Sequence, residues 1–254
     1  MTSADRMPIS AVLITKNAAH QLVDCLASVA FCDEIVVVDS GSDDGTAEIA
    51  GRHGARVIQS EWRGFGPQKQ FAVEQASHDW VLCIDADERV SDGLRESIVA
   101  VQSVPKFSAY QFARCNKFMG RYLRHGEGYP DWSLRLFDRR HARWSDDPVH
   151  EKVIATGVIG TLQGDLLHES AESLETYLAK QNRYSTLAAE EALASGKRAT
   201  VMHLLLSPSL RFIKFYFFRL GLLDGLPGLV HILVGCGASF GKYAKMLAFQ
   251  RSEK

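Results

Sequence analysis

The sequence predicts an α/β protein with a mixed, mostly parallel sheet that is flanked by helices. Three continuous apolar runs, residues 9–14, 35–38 and 80–84, are typical of strands that are covered on both faces. Between these runs, apolar residues recur at helical spacing, and acidic residues close the second and third runs. The order strand, helix, strand, helix is that of a parallel sheet with crossover helices.

The first hundred residues contain the signals for the remaining elements of this plan. Apolar positions of the first helix are Leu22, Cys25, Leu26 and Val29, and those of a later helix, which Pro67 starts, are Phe71, Ala72 and Ala76. Residues 55–58 predict another short strand, and Ser91 is placed to cap a helix that carries Leu94, Ile98 and Val101. We therefore expect residues 1–104 to form a nucleotide-binding half.

The middle of the chain changes character. Strand-like segments at residues 109–112, 133–137 and 152–154 are separated by glycine, proline and aspartate, and we expect them to extend the sheet and build an acceptor half over residues 105–196. Residues 174–194 predict a long helix that Gly196 ends. The two halves would make one domain, residues 1–196, followed by a helical tail, residues 197–254.

Composition excludes several classes of protein. With 46% hydrophobic and 23% charged residues over 254 positions, the chain can bury a large core and is not disordered. Its five cysteines show no C-x-x-C spacing, which argues against zinc and disulfides and for reduced thiols in the cytoplasm. The first residues lack the apolar segment of a secretory signal, so we expect no export by that route.

The tail is basic and apolar. It carries nine Lys or Arg residues and two acids, a net charge of +7, which leaves −8 for the rest of a chain whose total is −1. If residues 211–219 form a helix, its three basic side chains lie within one arc of the helix circumference, and aromatic side chains cover the remainder. We expect this amphipathic extension to lie on the cytoplasmic face of a membrane, with a packing helix or an oligomer contact as the alternative.

A membrane-spanning tail and a nucleic-acid partner are both disfavoured. Residues 225–241 are uncharged, but Pro227 and several glycines interrupt them, so a spanning helix is poorly supported. Nucleic acid is an unsuitable partner because the body is acidic and the basic residues of the tail alternate with large apolar ones.

The acids at the strand ends predict a ligand site. In open α/β sheets ligands lie beyond the carboxyl ends of the strands, where Asp39, Asp85 and Asp87 follow apolar runs. Alternation along an extended strand puts Asp85 and Asp87 on one side, and such oxygen donors suit Mg²⁺ or Mn²⁺ shared with a diphosphate. We expect Asp87 to bind the metal directly and Asp85 to contact ribose or a metal-bound water. Asp39 would accept the N3–H of uracil or a ribose hydroxyl.

A simpler interpretation exists for each of these acids. Asp39 with Ser40, Gly41 and Ser42 makes a turn, and Asp44 or Thr46 caps the next helix. Asp85 and Asp87 with Glu88 form a solvated turn or a cluster at a helix start.

The motifs Thr15-Lys16-Asn17, Asp39-Ser40-Gly41-Ser42-Asp43-Asp44-Gly45-Thr46 and Asp85-Ala86-Asp87 resemble those of glycosyltransferase family 2. The resemblance continues through Arg135-Leu136-Phe137, Val149-His150-Glu151, Leu167-His168 and Leu223-Asp224-Gly225, a set similar to the lipopolysaccharide-core glucosyltransferase group. It implies the GT-A (Rossmann-like) fold, inversion at the anomeric carbon, and a nucleotide site that includes Thr15 and Asn17.

An inverting transfer is one direct displacement, so a base must stand near the acceptor hydroxyl. Glu151, at the place where the subgroup carries an acid, is our first candidate, and Asp131 is the alternative. His168 is a candidate third metal ligand or a core histidine. Lys69 is placed to reach a phosphate from a helix start, and Arg135 to pair with the diphosphate, with an anionic acceptor or with a structural acid.

The leading hypothesis is a peripheral inner-membrane enzyme that transfers a hexose, glucose first, from a UDP-sugar to a lipid-linked acceptor, the lipopolysaccharide core. A polyprenyl-phosphate glycosyltransferase is the second enzyme hypothesis, and its phosphate acceptor would need no base. A non-catalytic nucleotide-binding scaffold at the membrane is the third, and the complete set of Asp39, Asp85 and Asp87 counts against it.

Overall fold

The computed structural model describes residues 6–147, 151–170 and 173–252. The chain divides into two compact units, one made of Met1–Arg114 and Asp131–His168, the other of Cys115–Pro130 and Glu169–Lys254. Val149 and His150 of the family motif lie outside the described residues. The long helix at residues 174–194 groups with the C-terminal helices in the second unit.

The strands, in chain order, are β1 Ile9–Thr15, β2 Glu34–Asp39, β3 Arg56–Gln59, β4 Trp80–Cys83, β5 Glu88–Val90, β6 Ala109–Phe118, β7 Arg121–Tyr122, β8 Asp131–Asp138, β9 Ala142–Trp144, β10 Val153–Ala155 and β11 Ile159–His168. The helices are α1 Ala19–Ser28, α2 Thr46–Arg52, α3 Phe65–Gln75, α4 Asp92–Ser103, α5 Leu174–Ala194, α6 Val201–Phe212 and α7 Gly225–Ser252.

The main sheet of the first unit has the order β3-β2-β1-β4-β8-β6-β11-β5. Strands β3, β2, β1 and β4 run parallel, and β8 joins β4 in the antiparallel sense. The predicted fold class, a mixed and mostly parallel sheet flanked by helices, is confirmed. Because β1 lies between β2 and β4, the acids that follow those two strands flank the end of β1.

Both faces of the parallel strands are covered, as their continuous apolar sequences predict. Leu13 and Leu82 face a cluster that includes Leu26 of α1 and Ile98 of α4. Val12 and Val81 face the opposite cluster, where α3 contributes Ala72 and Val73. Alternate residues of each strand therefore enter different cores, which fixes the register of the strand.

Local signals explain where the helices begin. Ser91 caps α4 by accepting a hydrogen bond from the Leu94 backbone N–H at 3.3 Å, as predicted. Pro67 stands in the first turn of α3, where its missing N–H costs no helical hydrogen bond. Gly196, just beyond α5, has a φ of +78° and ends that helix in the left-handed conformation.

The middle of the chain corrects one sequence expectation. Strands β6, β8 and β11 extend the main sheet, but β10, which overlaps the predicted strand at residues 152–154, pairs with β9 in a separate two-stranded sheet. The flanking turn residues predicted the strand, but they could not predict which strand it pairs with, because tertiary contacts decide the pairing. The short β5, which the sequence did not predict, pairs with β11.

The second unit contains the end of β6 from Cys115, its hairpin partner β7, and helices α5, α6 and α7. The predicted α-helix over residues 211–219 is wrong in its details: α6 ends at Phe212, and Ile213–Phe218 form a π-helical turn. Arg211 pairs with Glu127, so the three basic groups do not form one solvent-facing arc. A short 3₁₀ turn, Gly221–Asp224, precedes α7.

The expectation that Pro227 interrupts the last apolar segment is also wrong. Helix α7 is continuous over Gly225–Ser252, because Pro227 lies in its first turn, where no helical N–H is required. The helical stretch Gly221–Ser252 meets the length and composition of a membrane span, with a mean hydropathy of 1.4 in a window that is 33% buried. Core helices of soluble proteins meet the same criterion.

Candidate active site

The loops after β1 and β2 are joined by hydrogen bonds at the carboxyl edge of the sheet. Thr15 Oγ1 donates to Asp39 Oδ1 at 2.9 Å, and Ser42 Oγ donates to the same oxygen at 2.5 Å. Asn17, at a φ of +51°, accepts a bond from the Asp43 N–H at 3.0 Å, and its own N–H donates to Ser42 Oγ at 2.8 Å. The three predicted residues Thr15, Asn17 and Asp39 therefore lie in one network.

Asp39 is completely buried, and its carboxylate is used within the loop. Its Oδ2 accepts the backbone N–H groups of Gly41 and Ser42 at 3.1 and 2.9 Å. Burial alone would raise the pKa of Asp39, but the hydrogen bonds from Ser42 and Thr15 outweigh it and lower that pKa below the usual range. These hydrogen bonds show that the segment forms a turn. A nucleotide that contacts Asp39 would have to replace one of these bonds.

Asp85 stands between two cations. Lys69 Nζ lies 3.0 Å from Asp85 Oδ1, and Arg135 Nη2 lies 3.0 Å from Asp85 Oδ2. Burial would raise the pKa of Asp85, but Arg135 and Lys69 outweigh it, so the pKa of this carboxyl lies well below its usual range. The carboxylates of Glu88 and Asp85 raise the pKa of Arg135 against its burial. Asp85 is therefore ionised and fixed in place.

Glu88 stabilises the ion pairs of Asp85 and Arg135 from the protein interior. It is completely buried, accepts the Asp85 backbone N–H at 2.9 Å, and pairs with Arg135 at 3.3 Å and Arg114 at 2.8 Å. A buried carboxylate requires such partners, because an unpaired one would be expensive to desolvate. The sequence showed Glu88 only as a possible member of a turn.

The ring of Trp144 faces both cations that pair with Asp85, Lys69 and Arg135. Lys69 Nζ is 4.8 Å from the centroid of its ring, and the Arg135 guanidinium carbon is 5.3 Å away. The indole N–H is directed at Cys83 Sγ, at 3.4 Å. The ring of this buried tryptophan thus adds cation–π attraction to the ion pairs. No periodicity in the sequence signals this role.

Asp87 is directed away from that cluster and pairs with His168. The distance from His168 Nε2 to Asp87 Oδ2 is 3.1 Å, and the Asp87 side chain is 32% exposed. The antiparallel pairing of β5 with β11 sets Glu88 opposite His168, and this register brings the two side chains together. The predicted neighbours Asp87 and His168 do meet, whereas Asp85 faces Lys69 and Arg135.

The donor set at Asp87 fits a divalent cation that takes further ligands from a substrate. A carboxylate oxygen and an imidazole nitrogen suit Mn²⁺, and Mg²⁺ accepts the carboxylate with several waters. Within the described ranges, no three His, Cys, Asp or Glu side chains are grouped to hold a metal. The predicted trio of Asp85, Asp87 and His168 is thus present as a pair, and diphosphate and water oxygens would complete the coordination.

The two candidate bases have different environments. Glu151 Oε1 accepts a hydrogen bond from Lys69 Nζ at 3.0 Å, so one ammonium connects Glu151 to Asp85. Asp131, at the start of β8, lies 3.7 Å from Arg114, with half of its side chain exposed. The structure therefore brings Glu151 into the charged cluster and leaves Asp131 at its edge.

An open cavity of about 600 Å³ lies beside these residues. Thr15, Lys16, Asn17 and Asp87 line it, together with an aromatic pair, Trp62 and Phe65, whose ring centroids are 4.9 Å apart. Sequence reasoning missed this pair. Its only signal was two large apolar residues in a segment rich in glycine, where a buried core is not expected.

Two buried polar atoms near the cluster are unsatisfied. Gln68 Nε2 donates to Ser40 Oγ at 3.1 Å, but Gln68 Oε1 has no hydrogen-bond partner in the part of the chain that the structure describes. Arg135 Nη1 is in the same situation. Because buried polar groups are rarely left unpaired, these atoms are suited to a polar ligand or to water.

A mostly parallel sheet with carboxylates beyond the ends of the strands on either side of β1, next to an open cavity, is the architecture of GT-A glycosyltransferases. Solved structures agree on the fold. A mannosyltransferase from Pyrobaculum calidifontis, in complex with GDP-Man and Mn²⁺, superposes with a TM-score of 0.52 at 17% identity and covers 99% of this chain and 77% of that chain. TarS from S. aureus, in complex with UDP-GlcNAc, gives 0.51 at 15% identity over 97% of this chain and 92% of that chain.

Sequence comparison is more specific. The model of "Glycosyl transferase family 2" matches residues 10–157. The lipopolysaccharide core biosynthesis glycosyltransferase LpsC of Rhizobium meliloti is 34% identical over 95% of this chain and 92% of its own length. An uncharacterised glycosyltransferase of Rickettsia prowazekii is 31% identical over 94% of this chain and 86% of its own. The chain belongs to glycosyltransferase family 2 and is a glycosyltransferase, as the sequence motifs predicted.

Proposed function

We propose that this enzyme transfers a hexose, glucose first among the candidates, from a UDP-sugar to the inner core of lipopolysaccharide, with inversion and with a divalent cation. The observation that carries the proposal is the position of two charged groups at one sheet edge: the Asp87–His168 pair, and the Lys69–Asp85–Arg135 cluster, which contacts Glu151. The likeness to LpsC supports the acceptor class.

The donor would occupy the cavity at the ends of β1 and β4. Its lining joins apolar surface from Trp62 and Phe65 to polar groups from Thr15 and Asn17, the mixture that a nucleoside requires. The unsatisfied Arg135 Nη1 is suited to a phosphate oxygen, since guanidinium groups bind phosphates through two N–H bonds. Asp39 favours uridine, because uracil offers a ring N–H and cytosine does not.

In the proposed reaction the acceptor hydroxyl oxygen attacks the anomeric carbon. Glu151 takes the hydroxyl proton, and the bond from that carbon to the diphosphate breaks with its electron pair on the diphosphate oxygen. Lys69 holds the Glu151 carboxylate in place, and Arg135 provides positive charge near the leaving group. Asp87 and His168 would hold the cation, which, when bound, neutralises charge on the departing diphosphate.

The acceptor would be lipid-linked, which requires work at the cytoplasmic face of the inner membrane. The basic charge of residues 197–254 supports a peripheral attachment there. The acidic first 196 residues, with a net charge of −8, do not suit nucleic acid.

Calorimetry with a panel of donors tests this function. We expect one UDP-sugar among UDP-glucose, UDP-galactose and UDP-N-acetylglucosamine to bind in the presence of Mn²⁺, and GDP-mannose not to bind. Asp87→Ala should weaken that binding at least about tenfold, since it removes a charged metal ligand. Asp92→Ala is the matched control, because Asp92 is a fully exposed acid on α4.

The panel has a clear negative outcome. If no nucleotide sugar of the panel binds with or without Mn²⁺, the proposed UDP-sugar donor is wrong. If a UDP-sugar binds equally well to Asp87→Ala, the metal assignment is wrong.

A further inference from the structure

Helix α6 exposes a continuous row of apolar side chains. Met202, Leu206, Leu210, Ile213 and Phe217 follow one another at intervals of three or four residues, so they lie on one face of the helix and its π-helical turn. All five are exposed, Leu210 by 62% of its surface. We call these five residues the apolar row. A row of this length is larger than the scattered apolar residues of an ordinary protein surface.

The connection between α6 and α7 continues this row as an apolar tip, which we define as residues 217–226. Phe218 is 80% exposed and Leu226 is 65% exposed, and Leu220, Leu222 and Leu223 between them are also exposed. The π turn, a left-handed Leu220 at a φ of +55° and the 3₁₀ turn place successive side chains outward. The backbone itself is satisfied by bonds such as that from the Arg219 N–H to the Lys214 carbonyl at 2.9 Å.

The exposed charged residues of the segment that carries the row and the tip have one sign. Lys214, just before the tip, and Arg219, within it, are exposed, and so are Lys197 and Arg198 before the start of α6. Within residues 197–252 the only acid is Asp224, which is 2% exposed and accepts the Arg124 and His125 N–H groups at 3.0 and 2.8 Å. The exposed charges that this segment itself contributes beside its apolar surface are thus all basic, which complements anionic headgroups over an acyl layer.

Helix α7 is unsuited to cross the membrane alone. A Cβ at Gly235 would lie 2.5 Å from Glu127 Oε2, so one face of the helix is fitted against the Glu127–Arg211 ion pair. Ser239 is buried and hydrogen-bonded to Ser207 of α6 at 2.9 Å. A spanning α7 would carry this ion pair into the hydrocarbon, which is costly. The helix therefore has a packing role, and α6 and the tip provide the free apolar surface.

We propose that the apolar row and the apolar tip insert into one leaflet of an anionic phospholipid bilayer, with Phe218 deepest and Lys214 and Arg219 at the headgroups. This inference refines the membrane attachment within the proposed function and rests on that part of it. A membrane surface is the occupant that the basic residues of this segment select, since a second copy would set like charges against each other.

Vesicle flotation of the full chain, without any sugar donor, tests the inference. The wild type should float with phosphatidylcholine vesicles that contain phosphatidylglycerol, and about tenfold less with phosphatidylcholine alone. Phe218→Glu with Leu222→Glu should reduce flotation at least about tenfold, because two charges would enter the acyl region. Val158→Glu, at a 70% exposed residue of the first unit, should float like the wild type.

Depth and oligomeric state complete the test. In Phe218→Trp, brominated lipids should quench the added fluorescence, whereas a tip outside the bilayer would leave it unquenched and overturn the inference. Equal flotation of the wild type and the double variant would also overturn it. So would a dimer without vesicles that Phe218→Glu dissociates. Donor calorimetry on the double variant should match the wild type, so failure at the membrane is distinguishable from failure of the transferase function.

Discussion

At the residue scale, Lys69 explains how the cluster holds together. We predicted a phosphate contact for this lysine, but it lies 3.0 Å from both Asp85 and Glu151 and is buried over the Trp144 ring. Without Lys69, the carboxylates of Asp85 and Glu151 would lie in a partly buried site with one positive charge fewer to pair with them. Lys69 therefore links Asp85 to the candidate base Glu151, and its contact with a phosphate stays a prediction.

The identity of the base gives a prediction at this scale. Glu151→Gln should lower transfer roughly a hundred- to ten-thousandfold, because a proton acceptor is lost from the displacement. Donor binding should change little, since glutamine keeps the size of the side chain. The measurement is initial rates with an acceptor, together with donor calorimetry.

Asp131→Asn is the matched comparison for that prediction. It removes the charge of the more exposed candidate, which pairs with Arg114 at 3.7 Å, and we expect transfer within about threefold of wild type. The opposite ranking of the two variants would assign the base to Asp131. Full transfer in Glu151→Gln would instead favour a phosphate acceptor, which needs no base.

At the element scale, the start of α3 is fitted closely to the segment that leads to Glu151. A Cβ at Gly66 would lie 2.3 Å from the Ser145 carbonyl oxygen, 2.5 Å from that of Asp147 and 3.3 Å from Glu151 Cβ. Because α3 also carries Gln68 and Lys69, the absence of a side chain at Gly66 sets the distance between the cluster and the candidate base.

Gly66→Ala should accordingly harm both stability and transfer. The added methyl group meets backbone oxygens, so α3 or the loop must move, at a cost of about 1–3 kcal/mol in the free energy of unfolding. We expect a tenfold or greater loss of transfer, about 1.4 kcal/mol, from the displaced Lys69. Urea unfolding and initial rates measure the two effects.

Gly51→Ala provides the control. A Cβ at this helical glycine of α2 meets no atom within 4 Å, so alanine should raise the free energy of unfolding by about 0.5–1 kcal/mol. Unchanged urea midpoint and activity in Gly66→Ala would show that the α3 contact is not required.

At the scale of the whole molecule, we expect the proposed cation to act in donor binding and not in folding. Within the described residues, neither Asp87 nor His168 belongs to a group of three His, Cys, Asp or Glu side chains that could hold a metal by themselves. The stability of the donor-bound state should depend on the metal, because the donor diphosphate and the cation would bind together. Stability should therefore respond to the metal only when the donor is present.

Thermal melting tests this separation. EDTA should shift the Tm of the free protein by less than about 1 °C. Saturating donor with Mn²⁺ should raise the Tm by about 5–10 °C, since a ligand at a hundred times its Kd adds roughly 2.7 kcal/mol. EDTA should abolish that rise. A large fall in Tm with EDTA alone would make the cation structural.

The sequence by itself determined the parallel strands and the positions of the acids. Short continuous apolar runs between helical segments are typical of strands buried on both faces, and carboxylates that close such runs are expected at the sheet edge. It also identified the family, because local motifs carry that information, and that resemblance made His168 a candidate metal ligand with Asp87. The strands, the acids at their ends and the family motifs depend on residues that are near one another in the chain.

Tertiary structure alone decided which charges meet. Lys69, Asp85, Arg135, Glu88 and Trp144 come from separate elements, and no spacing in the chain encodes their contacts. The same holds for the partner of β10, the exposed tip at residues 217–226 and the unbroken α7. Each of these depends on the packing of distant segments, whose energies are absent from any local window of sequence.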